Sequence, residues 1–507
     1  MGKWLEKKWN QLEKSYKLAF FATFCLGLLT HMYMITNKWP NHDYVYNIHG
    51  DQLLWPLSLG RWFLNAVTSI SSYFSLPWIN GLLAICYLSL AAMFIISILE
   101  VKRPVPIILC CGFLATYPAM ADTMGYMFTA DGYLFAMLLS SIAVWFWEKD
   151  KGILGQLAYA VSLSLTVGIY QAYLSFSIYL ILIRLILDIF EQKYSNKELA
   201  VKIWKALWGG MLGILLYYVG LLFMMKCYDV SFADYMGINN MTIASGTQII
   251  ETVICATIAF AEMFIGTNSD FTAYEIFNIL FIICLFMAYG IIIIKTKLYR
   301  KKVQTILLCV ASLLLIPAAY IFEFVSKEVI YRFLMLYCLA LIYLLLVKLA
   351  DAWLSGWFSE MVLILSVVIT VNFGLIDNIA YYNLNLCWEQ TYATAIQMQE
   401  RITSLQEYSP EKKVLVIGTI QTNNREWLQS RIPHLVGTDD INLMRNQEFI
   451  ITILNTDLGM NLDGADFTKR EDVMRSEAYF DMPCWPNGNS VQIIEGVVVI
   501  KLSEEVK

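Results

Sequence analysis

The residues best suited to chemistry lie in one short stretch near the N terminus, KWPNHDYVYNIHGDQLLWPLSLGRW at 38–62. The stretch follows an apolar segment and carries two histidines, two carboxylates and an arginine. Asp43, a few residues beyond the apolar segment, is placed to act as a general base that takes the proton from a hydroxyl attacking a sugar's anomeric carbon. The alternative is an ordinary solvated acid at a membrane surface.

The neighbours of Asp43 add polar groups that could assist it. His42 precedes it and Asp51 follows within the same stretch. The run LLWPLSLGRW at 53–62 is typical of a short helix lying in a membrane interface. Its arginine, Arg61, could pair with a lipid phosphate, and the alternative is an interfacial arginine whose stem covers apolar surface. The spacing alone assigns His42 no definite role.

A second polar group occurs in ADTMGYMFTADGYLF at 121–135. Asp122 and Asp131 flank Tyr126, and no basic residue stands nearby. We expect this segment to form a wall of a polar pocket that offers hydroxyls and a carboxylate to a sugar; an ordinary loop whose acids cap the next helix is the alternative. Two acids near Asp43 could also hold a divalent cation, Mg²⁺ or Mn²⁺, through oxygen ligands, although no spacing requires a metal.

A third group interrupts a long apolar run at GIYQAYLSFS, residues 168–177. Tyr170 and Gln171 are suited to hydrogen bonding with a substrate. A simple turn at the membrane surface explains the same residues without a function. Both interpretations place this segment on the same side of the membrane as the first stretch.

Arg332 is the fourth candidate, in EFVSKEVIYRF at 323–333. It begins an apolar segment on a face that otherwise has few cations, and an arginine kept there is a candidate for a functional role. Its planar fork of donors suits phosphate oxygens. An ion pair with Glu323 or Glu328 is the alternative.

The composition indicates that a membrane must position these groups. The chain has 507 residues, 58% hydrophobic and 15% charged, with a mean hydropathy of +0.57. Soluble domains are about 25% charged, so a polytopic membrane protein is favoured. The net charge of −5 and the absence of a basic block argue against a nucleic-acid partner. Eleven scattered cysteines fit packing better than a metal site.

About eleven apolar runs are long enough to cross a bilayer, which takes roughly 17–25 residues each. The basic lead of the first run indicates an uncleaved first helix rather than a signal peptide. The runs lie near 17–36, 77–99, 104–121, 126–147, 153–170, 172–190, 203–225, 276–294, 303–321, 331–349 and 357–376. The fold class predicted is therefore an α-helical polytopic membrane protein.

The run at 248–265 is different because it contains Glu251 and Glu262. If it does not cross, the loops on the N-terminal side hold nineteen Lys and Arg, against five on the other side before residue 376. Cytoplasmic loops carry such an excess, so we expect a cytoplasmic N terminus and a re-entrant or interfacial 248–265. All the polar groups above then share the outer face.

The C-terminal part has another character. Residues 377–507 are more polar and contain strand-like runs at 413–418, 449–454 and 496–502. We predict a transmembrane domain over 1–376 and a small extracytoplasmic α/β domain over 377–507. Its run KVLVIGTIQTN has one glycine and no phosphate-binding pattern, so a nucleotide site is disfavoured.

The order of these motifs resembles a known family. NHDYVYN…W…GRW, then YP…GYMFTADGYLFAMLLS and GIYQAYLSFSIYL, is similar to the Gtr type-two family, glucosyltransferases of O-antigen and related surface glycans. These belong to the GT-C class, polytopic enzymes with an essential acid in the first outer loop and a sugar carried on a polyprenyl phosphate. The resemblance covers residues 17 to about 376 and leaves the C-terminal part unmatched.

Carried over by position, the family's catalytic acid falls on Asp43. That place is often filled by two adjacent acids, but here the preceding residue is His42. The resemblance therefore leaves open whether Asp51 or Asp122 supplies the second carboxylate.

The other family positions are matched less completely. The arginine of the GRW motif falls on Arg61 and the tyrosine of the second outer loop on Tyr126, while Asp131 lies near an acidic position of that loop. Met127 stands where a basic or polar residue would be expected, a departure that weakens the sugar-pocket interpretation there. The choice of Arg332 as a site residue depends on its charge and its place in the topology, not on a motif match.

The resemblance implies a bacterial cell-membrane enzyme that moves glucose from undecaprenyl-phosphate glucose to a surface glycan. In this interpretation the lipid tail lies between helices, the phosphate binds Arg61, Arg332 or both, and the anomeric centre inverts. A donor synthase and a small flippase are the partner proteins it implies.

Two other classes of protein share some of these features. A flippase or transporter for a lipid-linked sugar should carry polar residues through the middle of several helices, and here those segments are nearly uncharged. A surface-polysaccharide polymerase or ligase should carry a large arginine-rich outer loop, whereas residues 226–275 contain no arginine. Both are kept as alternatives to the glycosyltransferase.

Overall fold

The computed structural model describes residues 12–48, 54–242, 244–266, 272–420, 425–439 and 443–504. Its helices are α1 (Lys14–Ile35), α2 (Tyr44–Asn47), α3 (Leu54–Ser58), α4 (Leu64–Thr68), α5 (Pro77–Leu99), α6 (Pro104–Thr116), α7 (Ala119–Gly125), α8 (Met127–Lys149), α9 (Gly152–Ile169), α10 (Tyr173–Glu191), α11 (Asn196–Tyr228), α12 (Thr247–Ile265), α13 (Ala273–Lys295), α14 (Lys302–Ala319), α15 (Ala340–Ala352), α16 (Trp357–Thr403), α17 (Glu426–Gln429), α18 (Gln447–Leu458), α19 (Phe467–Met474) and α20 (Glu477–Asp481). The strands are β1 (Val414–Ile417), β2 (Val491–Ile494) and β3 (Val497–Lys501).

The chain divides into two compact units. The first comprises Met1–Lys38, Gly50–Ile379 and Ser430–Val436, and the second comprises Trp39–His49, Ala380–Gln429 and Gly437–Lys507. The division between Ile379 and Ala380 falls inside α16.

The first unit is a helical bundle with the composition of a multi-pass membrane protein. Within the described ranges, eleven helices are long and apolar enough to cross a membrane, which confirms the predicted helical fold class. They are α1, α5, α8, α9, α10, α11, α12, α13, α14, the segment Phe333–Ala352 and α16.

The predicted span at 104–121 is two helices, not one. α6 and α7 meet at a bend of 40°. Between them, Tyr117 has φ −60° and ψ 130°, an extended backbone, and Pro118 follows. A proline disfavours helical backbone at the residue before it, which accounts for the break. Arg103, just before α6, forms an ion pair with Asp351. At the far end of the two helices, in α7, the Asp122 carboxylate accepts from Leu334 N at 2.7 Å.

Basic residues collect at one end of the first unit, which we call the basic end. There the Lys193 amine lies 3.1 Å from a Glu100 carboxylate oxygen, and the Lys205 amine lies 2.6 Å from Asp150. Arg184 pairs with a carboxylate one helical turn on, since its Nη2 lies 2.5 Å from Asp188. A buried guanidinium needs such partners, because an unpaired buried charge is costly.

The path of the chain explains the run at 248–265. α11 begins at the basic end and is 33 residues long, so it ends at the opposite end of the bundle. There Glu251, near the start of α12, lies 3.4 Å from Lys327. α13 finishes at the basic end, where Lys295 donates to Trp353 O at 3.0 Å, so it starts at the opposite end too. α12 has the length and hydropathy of a membrane-spanning helix. However, the helix before it ends, and the helix after it begins, at the same end of the bundle. This agrees with the prediction that α12 does not cross the membrane.

The second unit contains a three-stranded sheet in the order β1-β3-β2. β1 pairs parallel with β3, Val414 opposite Val498, and β2 pairs antiparallel with β3, Val491 opposite Ile500. The strand-like runs at 413–418 and 496–502 therefore contain β1 and β3. β2 was not anticipated.

The strand predicted at 449–454 is wrong, because FIITIL lies within helix α18. The Asn446 side chain accepts from Phe449 N at 3.0 Å and caps the helix, and Gly459 ends it with φ +68°. Phe449, Ile450, Ile453 and Leu454 are all buried. That spacing is the period of a helix with one face in a core, and this burial overrides the strand preference of isoleucine.

The segment Trp39–His49, at the start of the first loop, belongs to the second unit. Sequence analysis assigned it to the transmembrane domain, but Tyr44 and Val45 are buried in one hydrophobic cluster with Phe449, Ile450 and other residues of the C-terminal part. The segment that carries Asp43 is therefore part of the core of the C-terminal unit.

Candidate active site

The GRW loop of the first unit has a fixed backbone. α3 buries Leu57 and leaves Trp55 about half exposed, as expected for a short amphipathic helix. After it the chain turns back, and Arg61 N donates to Pro56 O at 2.8 Å. Gly60 at this turn has φ +79°, a region that residues with a Cβ rarely adopt. The turn directs Arg61 back towards the bundle.

The GIYQ segment holds this loop. Gln171 Nε2 donates to Leu59 O at 2.6 Å, and the Tyr217 hydroxyl donates to Gly60 O at 3.1 Å. One residue after the motif, Phe63 N donates to Gly168 O at 2.8 Å. Gln171, predicted to bind substrate, therefore has a backbone-binding role in the structure. Two motifs far apart in the sequence form one structural element.

Trp62 is wedged between two helices by glycines. A Cβ on Gly168 would lie 2.8 Å from the Trp62 ring, and a Cβ on Gly220 would lie 3.0 Å from it. The distance at Gly168 is shorter than real Cβ contacts and the distance at Gly220 is at their lower limit, so the Trp62 ring packs closely against both helices. This packing fixes Trp62, the residue that follows Arg61 in the chain.

A methyl group at Gly60 should destabilise the protein. An added Cβ would lie 2.7 Å from both Gln171 Nε2 and the Tyr217 hydroxyl oxygen, at a positive φ. We expect Gly60→Ala to lower the free energy of unfolding by about 1–3 kcal/mol. Thermal unfolding in detergent measures it, with Gly290→Ala as the control, because nothing lies within 4 Å of a Cβ there. Equal melting temperatures for the two variants would contradict this account of the loop.

The guanidinium of Arg61 is held by tyrosines. Arg61 Nη1 donates to the Tyr133 hydroxyl at 3.1 Å, and the guanidinium carbon lies 4.6 Å from the centre of the Tyr170 ring. The two tyrosine rings stack, with centroids 4.4 Å apart and planes 13° from parallel. A cation over an aromatic face is attracted by the ring quadrupole, so both contacts keep the charge in place.

The charge of Arg61 is not neutralised by these contacts. In the described part of the chain, no carboxylate lies within ion-pair distance of it, and its buried Nε has no hydrogen-bond partner. Burial opposes the charge, but Tyr133 and Tyr170 offset this, and the pKa of Arg61 is raised. Tyr235 acts in the same direction, whereas the nearby Arg332 opposes it. A charged guanidinium in this state is suited to an external anion.

Arg332 is also held by tyrosine hydroxyls. Its Nη1 donates to Tyr126 at 2.6 Å and its Nη2 to Tyr235 at 3.4 Å. Asp122 is fully buried, and its carboxylate accepts from Leu334 N at 2.7 Å. Asp122 therefore fixes the backbone that carries Arg332, and Tyr126, predicted to contact a sugar, orients the guanidinium.

Asp131 lies in helix α8 and has a described hydrogen-bond partner. It is fully buried, and its Oδ1 accepts from Asn80 Nδ2 at 3.1 Å. Asn80 in turn accepts from Leu76 N at 2.9 Å, so the pair ties α8 to the start of α5. Residues two apart on a helix point about 200° apart, so Asp131 faces away from the side on which Tyr133 meets Arg61. The predicted contact of Asp131 with a sugar stays a prediction.

Asp43 lies in the second unit, at the residue before helix α2. Its side chain is 34% exposed, and its carboxylate lies 3.5 Å from His42 Nε2. The backbone is fixed on both sides, since Asn41 accepts from Asp43 N at 3.0 Å and Asn47 donates to Asp43 O at 2.8 Å. An accessible carboxylate on a fixed backbone can accept a proton from a bound hydroxyl.

Two further predictions concern acids and metals. Asp51 lies outside the described residues. Over the ranges that the structure covers, no three His, Cys, Asp or Glu side chains come together as metal ligands would. His31 in α1 is buried, and its Nε2 lies 2.7 Å from Ala115 O of α6.

Sequence reasoning missed two residues, Tyr133 and Tyr235. Tyr133 lies in the same quoted stretch as Tyr126, seven residues further along the chain, and this nearness was the available signal. Tyr235 lies in a polar loop without periodicity, and nothing in the sequence indicates that it reaches Arg332.

Comparison with known proteins identifies one family. The family model described as Glucosyl transferase GtrII matches residues 32–342, more than half of the chain. No curated protein and no solved structure matches the chain significantly. The matched region includes Asp43, Arg61 and Arg332. The chain belongs to the GtrII glucosyl transferase family.

Proposed function

We propose that this glucosyltransferase uses a polyprenyl-phosphate glucose as donor and a cell-surface glycan as acceptor. The observation that carries the proposal is Arg61, a guanidinium held between tyrosines without a described carboxylate partner. Such a cation at the end of an apolar bundle suits a phosphate joined to a long hydrocarbon chain. Arg332, close enough to affect Arg61 electrostatically, offers a second set of donors.

The distribution of charge supports an extracytoplasmic site. By the sequence count, the loops on the N-terminal side of the membrane hold nineteen Lys and Arg against five on the other side before residue 376, and cytoplasmic loops carry such an excess. Arg61 and Arg332 belong to the opposite end, which on this rule faces away from the cytosol. Soluble nucleotide sugars are cytosolic, so a donor carried on a membrane lipid is favoured. The C-terminal unit and the acceptor glycan would lie on the same outer side of a bacterial cell membrane.

In the proposed reaction Asp43 is the general base. Its carboxylate takes the proton of the acceptor hydroxyl while the hydroxyl oxygen forms a bond to the anomeric carbon of glucose. The bond between this carbon and the phosphate oxygen breaks, and the electron pair leaves with the phosphate. General base catalysis of this kind contributes about 10²–10⁴ in rate.

The arginines would stabilise the leaving group. The donor phosphate is a diester with one negative charge, and the departing lipid phosphate is a monoester with more. Guanidinium groups fixed in advance bind the developing charge better than the starting charge, and this difference lowers the barrier. Tyr133 and Tyr126 would hold the two guanidiniums for this purpose. A donor synthase and a flippase would supply the lipid-linked glucose.

The proposal is tested by offering two donors to the purified protein in lipid vesicles. Radiolabelled undecaprenyl-phosphate glucose and uridine-diphosphate glucose are each supplied with a panel of surface glycans, and label in the glycan is counted. We expect transfer from the lipid donor and at most a trace from the nucleotide donor. Transfer from the nucleotide donor at an equal or greater rate would overturn the proposal.

A further inference from the structure

We propose that the C-terminal unit positions the catalytic base, and that Tyr44 and Asp457 are its positioning residues. This inference rests on the proposed role of Asp43. It gives the 380–507 region, which has no match in the family comparison, a function in the reaction. All the contacts that support it lie within the second unit.

Tyr44 is the residue after Asp43 and is anchored from a distance. Its hydroxyl donates to the carboxylate of Asp457, with both oxygens at 3.1 Å. Its ring is 6% exposed and lies edge-on to Trp388, with the ring centres 6.3 Å apart. A hydrogen bond to a charged acceptor is stronger than one between neutral groups, so this contact fixes Tyr44 firmly.

The rest of the segment is anchored in the same core. Val45 is 7% exposed and belongs to the cluster that contains Phe449 and Ile450 of helix α18. The Tyr46 ring lies edge-on to Phe449 with the centres 5.4 Å apart. Asp457 lies on this helix as well. Three consecutive residues after Asp43 therefore contact one helix or its neighbours.

This arrangement leaves Asp43 little freedom while keeping it accessible. Asp43 immediately precedes helix α2, where Tyr44 and Val45 are buried in the core, and its own side chain remains 34% exposed. A base must lie within hydrogen-bond reach of the proton it takes, and a displacement of about 1 Å can cost about 10²-fold in rate. Loss of the Tyr44 anchor should thus reduce catalysis through Asp43 without altering donor binding.

The first test replaces Tyr44 with phenylalanine in the full-length protein. The ring contact is kept and only the hydroxyl is lost. We expect kcat for transfer from undecaprenyl-phosphate glucose to fall about tenfold, while KM for this donor changes less than about twofold. Tyr46→Phe is the matched control, since Tyr46 is partly exposed and its ring contact survives the change; it should behave as wild type.

The second test combines the change with Asp43→Asn. If Tyr44 acts through Asp43, the tenfold effect should disappear in the Asp43→Asn background, measured as residual transfer over long incubations. Should Tyr44→Phe fail to fold, Asp457→Ala and Asp457→Asn replace it, with resistance to proteolysis as the check of folding. Asn keeps an oxygen that accepts from Tyr44, so it should retain more activity than Ala.

The outcomes separate this inference from the proposed function. A wild-type kcat for Tyr44→Phe overturns the inference, and so does an equal tenfold loss with and without the Asp43 carboxylate. If Asp43→Asn itself transfers at the wild-type rate, the proposed function fails instead. A loss of kcat that depends on Asp43 supports both.

Discussion

Replacing Arg61 with alanine is expected to lower kcat/KM for the lipid-linked donor about 10²–10³-fold. The guanidinium is the group proposed to bind the phosphate, and the tyrosines around it cannot replace its charge. Arg61→Lys should recover only a small part of the activity. A lysine keeps the charge but not the planar fork that reaches Tyr133 and packs on Tyr170. Initial rates with radiolabelled undecaprenyl-phosphate glucose measure both variants.

A matched control for Arg61 is Arg475 in the second unit. Its side chain is 79% exposed and pairs only with Glu471, at 3.3 Å, among the described residues. Arg475→Ala should transfer glucose at the wild-type rate. If Arg61→Ala also did so, the phosphate could not be bound as proposed.

Replacing Asp43 with asparagine is expected to lower kcat about 10²–10⁴-fold, the range for loss of a general base. Asparagine has nearly the same shape, and the hydrogen bonds that fix the backbone of residue 43 involve its N–H and C=O. The fold around Tyr44 should therefore survive, with a melting temperature close to that of the wild type. Single-turnover transfer in vesicles measures the chemical step separately from product release.

The control for Asp43 is Asp472→Asn, an exposed acid in the same unit. It should leave transfer unchanged. Donor binding gives a second criterion, because Asp43→Asn should retain the wild-type Kd for the lipid-linked glucose. A variant that lost donor binding instead of the chemical step would assign Asp43 a binding role and not that of a base.

The features of the fold that could be predicted from the sequence are those that a membrane requires, namely long apolar helices and an uneven distribution of basic residues. Long apolar runs and the distribution of Lys and Arg along the chain indicate the helices and which of their ends lie together. The ion pairs at the basic end, such as Lys193 with Glu100, agree with that distribution. The one break that was missed follows from a local rule, since Pro118 makes Tyr117 extended and divides the third apolar run.

The errors in the C-terminal part come from tertiary contacts. FIITIL has the composition of a strand, but capping by Asn446 and one-sided burial make it helical. The packing of the first loop in the second unit depends on Tyr44 and Asp457, which are 413 positions apart in the sequence. A single sequence gives no signal for a contact at that distance.

The candidate site was predictable in its residue types and not in its contacts. Arg61 and Arg332 stand out as cations against the topological bias, and the structure adds that tyrosines hold both. Gln171 was expected to contact a substrate because it is polar in an apolar run. In the structure it donates to Leu59 O beside the Gly60 turn, because a buried backbone carbonyl needs a donor. Its contact with a substrate stays a prediction.

The central claim is a direct displacement of the lipid phosphate by a hydroxyl that Asp43 deprotonates. The measurement that tests it most directly is the anomeric configuration of the transferred glucose, determined by NMR on the product and compared with that of the donor. One displacement predicts inversion, in every acceptor the enzyme uses. Net retention would require a covalent glucosyl intermediate or an equivalent second displacement, and it would contradict the claim.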